Sequence, residues 1–225
     1  SVLLDIPLVV FGENEAEYGN AIEDNEKPTR DPKYYSAELS IQDLVLGGIP
    51  AKDLIDDFGF KLSDLEAYFP VSPYDVEKTG TEVHYLGYYI KWHPQDVYYY
   101  SVENSNFMPN EHRTEGSYSK YSSLDDKIDW LHYHTTTIKF GIGRATYDSA
   151  QEIRNGDITR EEGIALIKRF DGEFPQQYIK DCCDYMDITM QQYHDAIEKI
   201  RSPHLWNKVN GIWELKKPIW EQKKL

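Results

Sequence analysis

The sequence has little cysteine and no long apolar run. Its only two cysteines, Cys182 and Cys183, are adjacent, so they cannot form the disulfide framework of a small secreted protein. We interpret both as packing residues on a helix and expect a reducing, cytoplasmic location. No apolar stretch approaches the length of a membrane-spanning helix, and no signal-peptide pattern opens the chain, so we expect no membrane span.

Positive charge is also scarce. The 225 residues carry 24 Lys and Arg against 39 Asp and Glu, which gives a formal net charge of −15. Because nucleic-acid binding requires a basic face, this balance argues against a nucleic-acid partner. An anionic substrate would have to be bound by locally clustered cations. Aromatic residues are abundant instead, with 18 Tyr, which is typical of half-buried hydroxyls and also of interfaces.

The chain begins with an apolar run, Ile6–Phe11, that predicts a buried parallel strand. A parallel strand needs a neighbour, and His84–Trp92 predicts a second strand of the same sheet. We therefore expect an α/β protein, and we expect residues before Ser1 to complete its sheet. The segment Gly12–Gly19 follows the first strand, at the edge where open α/β sheets bind ligands.

That segment is acidic. It carries Glu13, Asn14, Glu15 and Glu17, whose oxygens are of the kind that Mg²⁺ takes, commonly together with phosphates. The alternative is an acidic loop in which Asn14 caps a helix.

Between the two predicted strands we expect short helices. The first begins at Ile41 and is terminated by Gly47 and Gly48. After the second strand, Pro94 is expected to open a helix at its first turn.

Residues 140–175 combine several site-like features at close spacing. Gly141 and Gly143 are expected to expose backbone just before Arg144, as a loop that meets an anion would. A helix is predicted over Ala145–Arg154 and is stopped by Asn155-Gly156.

A second helix follows at once. Thr159 and Glu162 form a capping box that opens it, and Asp171-Gly172 ends it. The result is a helical pair that presents Arg144, Asp148 and Arg154, unless these charges are simply solvated.

A further helix is predicted from Leu124, with Ser123 as its N-cap. His132 and His134, two residues apart, are expected on different sides of it, which disfavours a paired zinc site. From Gln176 the chain is predicted to be helical, with Thr189 as an N-cap, before a C-terminal segment rich in tryptophan and lysine.

Four stretches together resemble one family, the N-acetyl sugar amidotransferases of bacterial surface-polysaccharide (LPS O-antigen) and pseudaminic or legionaminic acid biosynthesis. They are IPLVVFGENEAEYGN at Ile6–Asn20, YLGYYIKWHP at Tyr85–Pro94, EGSYSKYSSLDDKID at Glu115–Asp129 and TTTIKFGIGRATYDSAQEIRNGDITREEGIALIKRFDGEFP at Thr135–Pro175. The family is similar to the ATP pyrophosphatase (PP-loop) superfamily. The resemblance implies the C-terminal part of a PP-loop, adenine nucleotide alpha hydrolase-like parallel-sheet domain with a largely helical C-terminal region.

On this basis we divide the chain into four segments. Residues 1–35 are expected to end the ATP-binding α/β domain, and residues 36–80 to form a small helical insertion. Residues 81–175 hold a sheet strand and the catalytic and substrate helices. Residues 176–225 are expected to form a helical tail with an aromatic strap of Trp206, Trp213, Pro218 and Trp220. The superfamily's SGGxDS phosphate loop does not occur in the 225 residues, so we expect it upstream or in another chain, and expect this fragment alone to be inactive.

The resemblance implies conversion of a sugar acetamido group to an acetamidino group through an adenylated intermediate. It implies ATP and Mg²⁺ as cofactors, a partner glutaminase similar to that of histidine biosynthesis as the ammonia source, and an acidic N-acetylated sugar as substrate; a homo-oligomer is left open. The residue roles that it implies fall into four groups. They are catalysis by Lys120, Lys127 and Arg144, cofactor binding by Glu13, Asn14, Glu15, Glu17 and Lys139, substrate binding by Tyr118, Asp125, Asp148 and Arg154, and Mg²⁺ binding by Glu13 and Glu15.

Two other readings stay open. One is an amidating ligase similar to NAD or GMP synthetase, which has a different acceptor. The other is a non-catalytic module that binds a glutaminase or a glycan through its tyrosines.

Overall fold

The computed structural model describes residues 1–13 and 22–221. These residues divide into two compact units: the N-terminal unit, Ser1–Trp92, and the C-terminal unit, His93–Leu225. A small parallel strand pair and several helices make the protein α/β, as the sequence predicts at that level. No helix in the described part of the chain is both long and apolar enough to cross a bilayer.

The N-terminal unit contains the predicted parallel pair. Strand β1, Leu8–Phe11, pairs in parallel with β4, Glu82–Tyr85, and Phe11 lies opposite Tyr85 in the register. Two details of the prediction are wrong. β1 is not buried on both faces, because Leu8 and Val10 are 53% and 49% exposed. β4 ends at Tyr85, where the 3₁₀ turn Leu86–Tyr88 begins, so it does not extend to residue 92.

The predicted helix at residue 41 is wrong. Its place is taken by a short hairpin of β2, Val45–Leu46, and β3, Ile49–Pro50. Gly47 and Gly48 both have positive φ (59° and 84°), which a tight two-residue hairpin turn of the primed class requires. The glycines therefore reverse a strand and do not end a helix.

The described residues of the N-terminal unit also form three short α-helices. They are α1 (Ala51–Asp56), α2 (Leu62–Leu65) and α3 (Pro73–Thr79). A small apolar cluster around Leu44, Ala51 and Leu65 packs α1 and α2 together.

The described residues of the C-terminal unit form six further α-helices. They are α4 (Pro94–Ser105), α5 (Ile128–Phe140), α6 (Arg144–Asn155), α7 (Arg160–Phe170), α8 (Ile179–Tyr185) and α9 (Met190–Ile200). Pro94 opens α4 as predicted. The start of α5 differs from the prediction, because Ser123 does not cap a helix at residue 124. Ser123 has a φ of 54° and donates its hydroxyl to the Asp129 side chain, and the chain becomes helical only at Ile128.

Helices α6 and α7 form the predicted pair. Gly156, at a φ of 87°, ends α6, and the reciprocal hydrogen bonds of Thr159 and Glu162 open α7. The two helices approach closely at Gly163, where an added Cβ would lie 2.7 Å from the Cδ1 of Ile153. Local capping residues therefore fix both ends of this pair.

The core of the C-terminal unit lies between α5, α8 and α9. Its buried residues include Leu131, Ile138, Cys182 and Cys183, which confirms both cysteines as packing residues. Thr189 opens α9 as its N-cap, as predicted.

The C-terminal segment is a β-hairpin, which the sequence interpretation missed. β5, Trp206–Val209, pairs antiparallel with β6, Ile212–Leu215, around Asn210 and Gly211 at φ values of 48° and 83°. Asn-Gly between two apolar runs is a strong signal for this turn. The hairpin packs back on the unit as the strap was expected to, since the Trp206 indole N–H donates to the Ile138 carbonyl at 2.7 Å.

One core residue makes the stability of the C-terminal unit depend on pH. His134 of α5 is buried and hydrogen-bonded through Nδ1 to the Tyr193 hydroxyl at 2.7 Å. Burial, with smaller contributions from the positive charges of Arg201 and His194, lowers the pKa of His134 from 6.5 to about 4. The folded protein therefore favours the neutral ring. The contribution of His134 to the free energy of unfolding is intact above pH 6.5 and is lost as the pH falls towards 4.

Because of His134, the wild type is expected to lose up to about 3 kcal/mol of its free energy of unfolding between pH 7 and pH 4. We expect His134→Gln to abolish this part of the loss. The measurement is urea denaturation of the wild type and the variant at a series of pH values. His132→Gln is the matched control, since His132 is an exposed residue of the same helix. An unchanged pH dependence in His134→Gln would contradict this assignment.

Candidate functional site

The candidate site is built around Arg144, the first residue of α6. Helix α5 ends at Gly141, which has a φ of 74° and donates its N–H to the Thr137 carbonyl at 2.8 Å. Only Gly141-Ile142-Gly143 separates α5 from α6. The two helices are therefore consecutive walls of one cleft, and Arg144 lines that cleft.

The backbone next to Arg144 is not open, contrary to the sequence prediction. Gly143 is buried, and its N–H donates to Asp171 Oδ2 at 3.0 Å. The Thr146 N–H donates to Asp171 Oδ1 at 3.2 Å, and the Thr146 hydroxyl donates to the same carboxylate. Burial raises the pKa of Asp171, although these hydrogen bonds lower it in part. The anion at the N-terminus of α6 is thus a side chain of the protein itself.

Arg144 lies in a hydrogen-bond network. Its Nε donates to Asp148 Oδ1 at 2.7 Å, and its Nη1 donates to the Tyr133 hydroxyl at 3.2 Å. Tyr133 in turn hydrogen-bonds the Ser123 hydroxyl, and Ser117 donates to the second oxygen of Asp148 at 2.8 Å. Burial has the largest single effect and lowers the pKa of Arg144, but Asp148, Tyr133 and Asp129 together raise that pKa by more, so the guanidinium stays charged. The network fixes Arg144 and, among the described residues, leaves Nη2 and one Nη1 hydrogen without an acceptor.

These residues border a cavity of about 520 Å³, the Arg144 pocket. Helix α5 contributes four lining residues: His132, Tyr133, Thr136 and Phe140. Helix α6 contributes five: Arg144, Tyr147, Asp148, Gln151 and Arg154. This volume is typical of a site for a small molecule. The structure therefore brings together three residues that the sequence singled out, Arg144, Asp148 and Arg154.

The chemistry of the Arg144 pocket suits an anion that carries a ring. Two guanidinium groups face one carboxylate, and Arg154 makes no ion pair within the described part of the chain. Phe140 and Tyr147 are 56% and 55% exposed and offer flat faces for stacking. A guanidinium can bind a carboxylate or phosphate through two parallel hydrogen bonds. Gln151 and Thr136 add neutral groups that can hydrogen-bond hydroxyls.

Two predicted site residues lie elsewhere. Tyr118 and Lys120 border a separate open depression of about 660 Å³, together with Arg113. The Tyr118 hydroxyl is buried and makes no hydrogen bond within residues 1–13 and 22–221. Burial raises the pKa of Tyr118, and the nearby Glu152 carboxylate raises it further without forming a well-aligned hydrogen bond. Burial also raises the pKa of Glu152.

Two predicted lysines are exposed outside the Arg144 pocket. Lys127 pairs with Asp181, and this contact raises the pKa of the lysine and lowers that of the aspartate. The Lys139 ammonium lies 5.1 Å from the centroid of the Phe140 ring. Phe140 lines the pocket, so Lys139 is next to its rim.

Asp125 belongs to an acidic group with Asp126 and Asp129, whose ligand atoms all lie within 4.8 Å of one another. Two of its members are already used within the protein. Asp126 accepts the Asp129 N–H at 3.0 Å, and Asp129 accepts the Ser123 hydroxyl at 2.7 Å. The group offers oxygen ligands of the type that Mg²⁺ or Ca²⁺ takes.

The predicted cofactor and metal residues of the N-terminal unit are described only in part. Glu13 is exposed just after β1. Asn14, Glu15 and Glu17 lie outside the described residues.

The remaining lining residues of the Arg144 pocket were missed. His132, Thr136 and Phe140 recur at four-residue spacing on α5, and Tyr147, Gln151 and Arg154 recur at three or four on α6. Such spacing places side chains on one helix face, so the signal was present in the sequence. This spacing did not single out the face as a site, because no apolar stripe marks it.

Comparison with known proteins supports the resemblance. Residues 115–219 match a family model described as LPS biosynthesis protein WbpG-like, C-terminal domain. The match covers just under half of the chain and contains every residue that lines the Arg144 pocket. No curated protein matches the chain. Residues 115–219 are therefore similar to the C-terminal domain of WbpG-like LPS biosynthesis proteins.

Proposed function

We propose that this chain is part of an ATP-dependent amidotransferase of bacterial surface-polysaccharide biosynthesis, which converts a sugar acetamido group to an acetamidino group. One observation carries the proposal: the segment that matches an LPS biosynthesis family encloses the whole Arg144 pocket. The two helices that form the pocket lie inside that segment, and they present a fixed guanidinium and exposed rings.

The substrate in this proposal is an acidic N-acetylated sugar, a nonulosonate or a uronate. Its carboxylate pairs with the free hydrogens of Arg144 or with Arg154, which has no protein anion as a partner within the described residues. The flat faces of Phe140 and Tyr147 pack against the sugar ring, as aromatic side chains commonly do. Asp148 has a positioning role, because it holds Arg144 through Nε. Tyr118 and Asp125 remain proposed substrate contacts at the ends of the 117–127 loop.

The proposal includes ATP with Mg²⁺. When bound, ATP supplies the adenylyl group that leaves as AMP together with the acetamido oxygen. Glu13 fits a Mg²⁺ ligand by type, since it is an exposed carboxylate just after a parallel strand. Asn14, Glu15 and Glu17 would complete the group of residues that bind ATP and Mg²⁺.

Three lysines are proposed to neutralise phosphate charge. Lys139 is next to the rim of the Arg144 pocket, and Lys120 makes no ion pair within the described part of the chain. Lys127 can take part only if it leaves Asp181.

The fold and the partner belong to the same proposal. The parallel pairing of β1 with β4 is consistent with the edge of a PP-loop sheet, whose SGGxDS loop lies outside these 225 residues. Ammonia comes from a glutaminase subunit, and its nitrogen replaces the oxygen that departs with AMP.

The test is AMP release by the protein encoded by the whole gene, assayed with ATP, Mg²⁺, an ammonium salt and a panel of N-acetylated sugar acids. We expect release that requires both ammonia and a sugar acid, together with a product in which one oxygen is replaced by an NH group. If AMP were released with a nucleotide acceptor in place of the sugar, the proposal would be contradicted and an NAD- or GMP-synthetase-like ligase would be indicated. No release with any acceptor would indicate a non-catalytic module.

A further inference from the structure

A second cavity, of about 500 Å³, lies under the C-terminal hairpin. We call it the strap pocket, and define it by Arg201, Trp206, Trp213, Ile167, Ile219 and Trp220. It differs from the Arg144 pocket in its walls, since the hairpin and the 3₁₀ turn Ile219–Glu221 close over α5 and α7.

Arg201 is the unusual residue of the strap pocket. Its side chain is 13% exposed, and the guanidinium carbon lies 4.8 Å from the Trp206 ring centroid and 5.3 Å from that of Trp213. Its Nε is buried and makes no hydrogen bond within the described residues. Burial lowers the pKa of Arg201. An enclosed cation without a hydrogen-bonded anion is costly for the folded state.

The nearest carboxylate does not supply that anion. Glu198 Oε1 lies 3.9 Å from the Arg201 Nε, beyond hydrogen-bond distance. Both oxygens of Glu198 are engaged by other donors, the Trp213 indole N–H at 2.8 Å and Lys208 Nζ at 2.9 Å. Within the described residues Arg201 therefore donates no hydrogen bond to the protein, although its fork of N–H groups borders a cavity.

The other walls fit an organic molecule. Ile167, Ile219 and the ring of Trp220 line the strap pocket with apolar surface. Lys168, whose ammonium lies 5.3 Å from the Trp220 ring centroid, adds a second cation. Three carboxylates, Asp171, Glu214 and Glu221, also line the cavity, and Asp171 is already hydrogen-bonded to the N-terminus of α6. Arginine stacked between aromatic faces keeps its edge free for an anion, and the planar fork matches a carboxylate or a phosphate.

We propose that the strap pocket is a binding site for a small organic anion with an apolar or flat body, held through its carboxylate or phosphate by the Arg201 guanidinium. The anion supplies the hydrogen-bond acceptors that the protein does not give to Arg201. The body of the ligand packs against the apolar wall formed by Ile167, Ile219 and Trp220.

The test uses three probes of the same shape: benzoate, phenyl phosphate and neutral benzamide. Each is titrated into the ¹⁵N-labelled 225-residue chain, and the N–H resonances of Arg201 Nε and of the Trp206 and Trp213 indoles are followed. We expect saturable shifts with benzoate, phenyl phosphate or both, and none with benzamide. A response to benzoate alone assigns a carboxylate ligand, and a response to phenyl phosphate alone assigns a phosphate.

Variants test the role of Arg201 directly. Arg201→Gln should weaken binding of the responding anion at least about tenfold. The matched control is Arg169→Gln, which removes a guanidinium stacked on another ring, that of Phe170 at 5.2 Å. Wild-type titration does not depend on whether Arg201→Gln folds. The proposal is overturned if neither anion shifts these resonances, if benzamide shifts them equally, or if Arg201→Gln binds the anion like the wild type.

Discussion

Gly143→Ala is expected to lower the free energy of unfolding of the C-terminal unit by about 2–4 kcal/mol, through steric overlap and disruption of a helix cap. A Cβ at this position would lie 2.3 Å from Thr137 Oγ1 and 2.6 Å from Asp171 Oδ1. Neither atom can move freely. Thr137 donates its hydroxyl to the Tyr133 carbonyl at 3.1 Å, and Asp171 accepts N–H groups from Gly143 and Thr146.

The backbone itself would tolerate alanine, because Gly143 has a φ of −121°. The expected loss therefore comes from contact with fixed polar atoms and not from backbone strain. It is measured by urea denaturation followed by tryptophan fluorescence, since four of the five tryptophans lie in the C-terminal unit.

Gly163→Ala is the matched control in the same unit. Its added Cβ would meet the Ile153 Cδ1 at 2.7 Å, the end of a flexible side chain, and alanine favours the helix interior by about 1 kcal/mol. We expect its stability to stay within about 1 kcal/mol of the wild type. If Gly143→Ala were no less stable than Gly163→Ala, Asp171 would not be the fixed cap that the structure describes.

Helix ends were predictable where neighbouring residues determine them. Thr159 and Glu162 open α7 through hydrogen bonds across three residues, and Gly156 ends α6 by adopting a positive φ. These interactions need no tertiary contact, so the sequence alone indicates them. The turn signal of the Asn210-Gly211 hairpin is equally local, but the surrounding tryptophans and lysines suggested an aromatic strap and not a pair of strands.

Contacts between distant residues were not predictable in the same way. Ser123 looked like an N-cap, yet in the fold it hydrogen-bonds Asp129 and Tyr133 and adopts a positive φ. Gly143 looked like open backbone, yet Asp171, twenty-eight residues later, accepts its N–H. In both cases a side chain brought close by the fold forms the hydrogen bond, in place of the helix cap or the ligand that the local sequence suggests.

The sequence likewise predicts one wall of the candidate site and not the other. Arg144 and Asp148 are four residues apart on α6, so their spacing places them on one side of a cleft. Arg154 lines the same cavity further along the helix. The opposite wall on α5 depends on how two helices meet, which the spacing within each helix does not determine.

The second large effect is expected on turnover. In the protein encoded by the whole gene, Arg144→Gln should lower kcat/KM for sugar amidination at least about tenfold, because a fixed guanidinium in a partly enclosed site is lost. Lys120→Ala should also cost at least about tenfold if Lys120 neutralises phosphate charge. The control is Lys180→Gln, since Lys180 is exposed and pairs only with Asp184 within the described residues.

The distribution of the loss between KM and kcat decides what Arg144 does. If it binds the sugar carboxylate equally in the ground and transition states, Arg144→Gln raises KM and leaves kcat unchanged. If it stabilises charge that develops during adenylyl transfer, kcat falls. Arg144→Lys separates charge from geometry, because lysine keeps the charge but lacks the planar fork and cannot reproduce the bonds to both Asp148 and Tyr133. Near wild-type kinetics in Arg144→Gln would remove the Arg144 pocket from the reaction, whereas an effect confined to Lys120→Ala would move the site to the depression next to Tyr118.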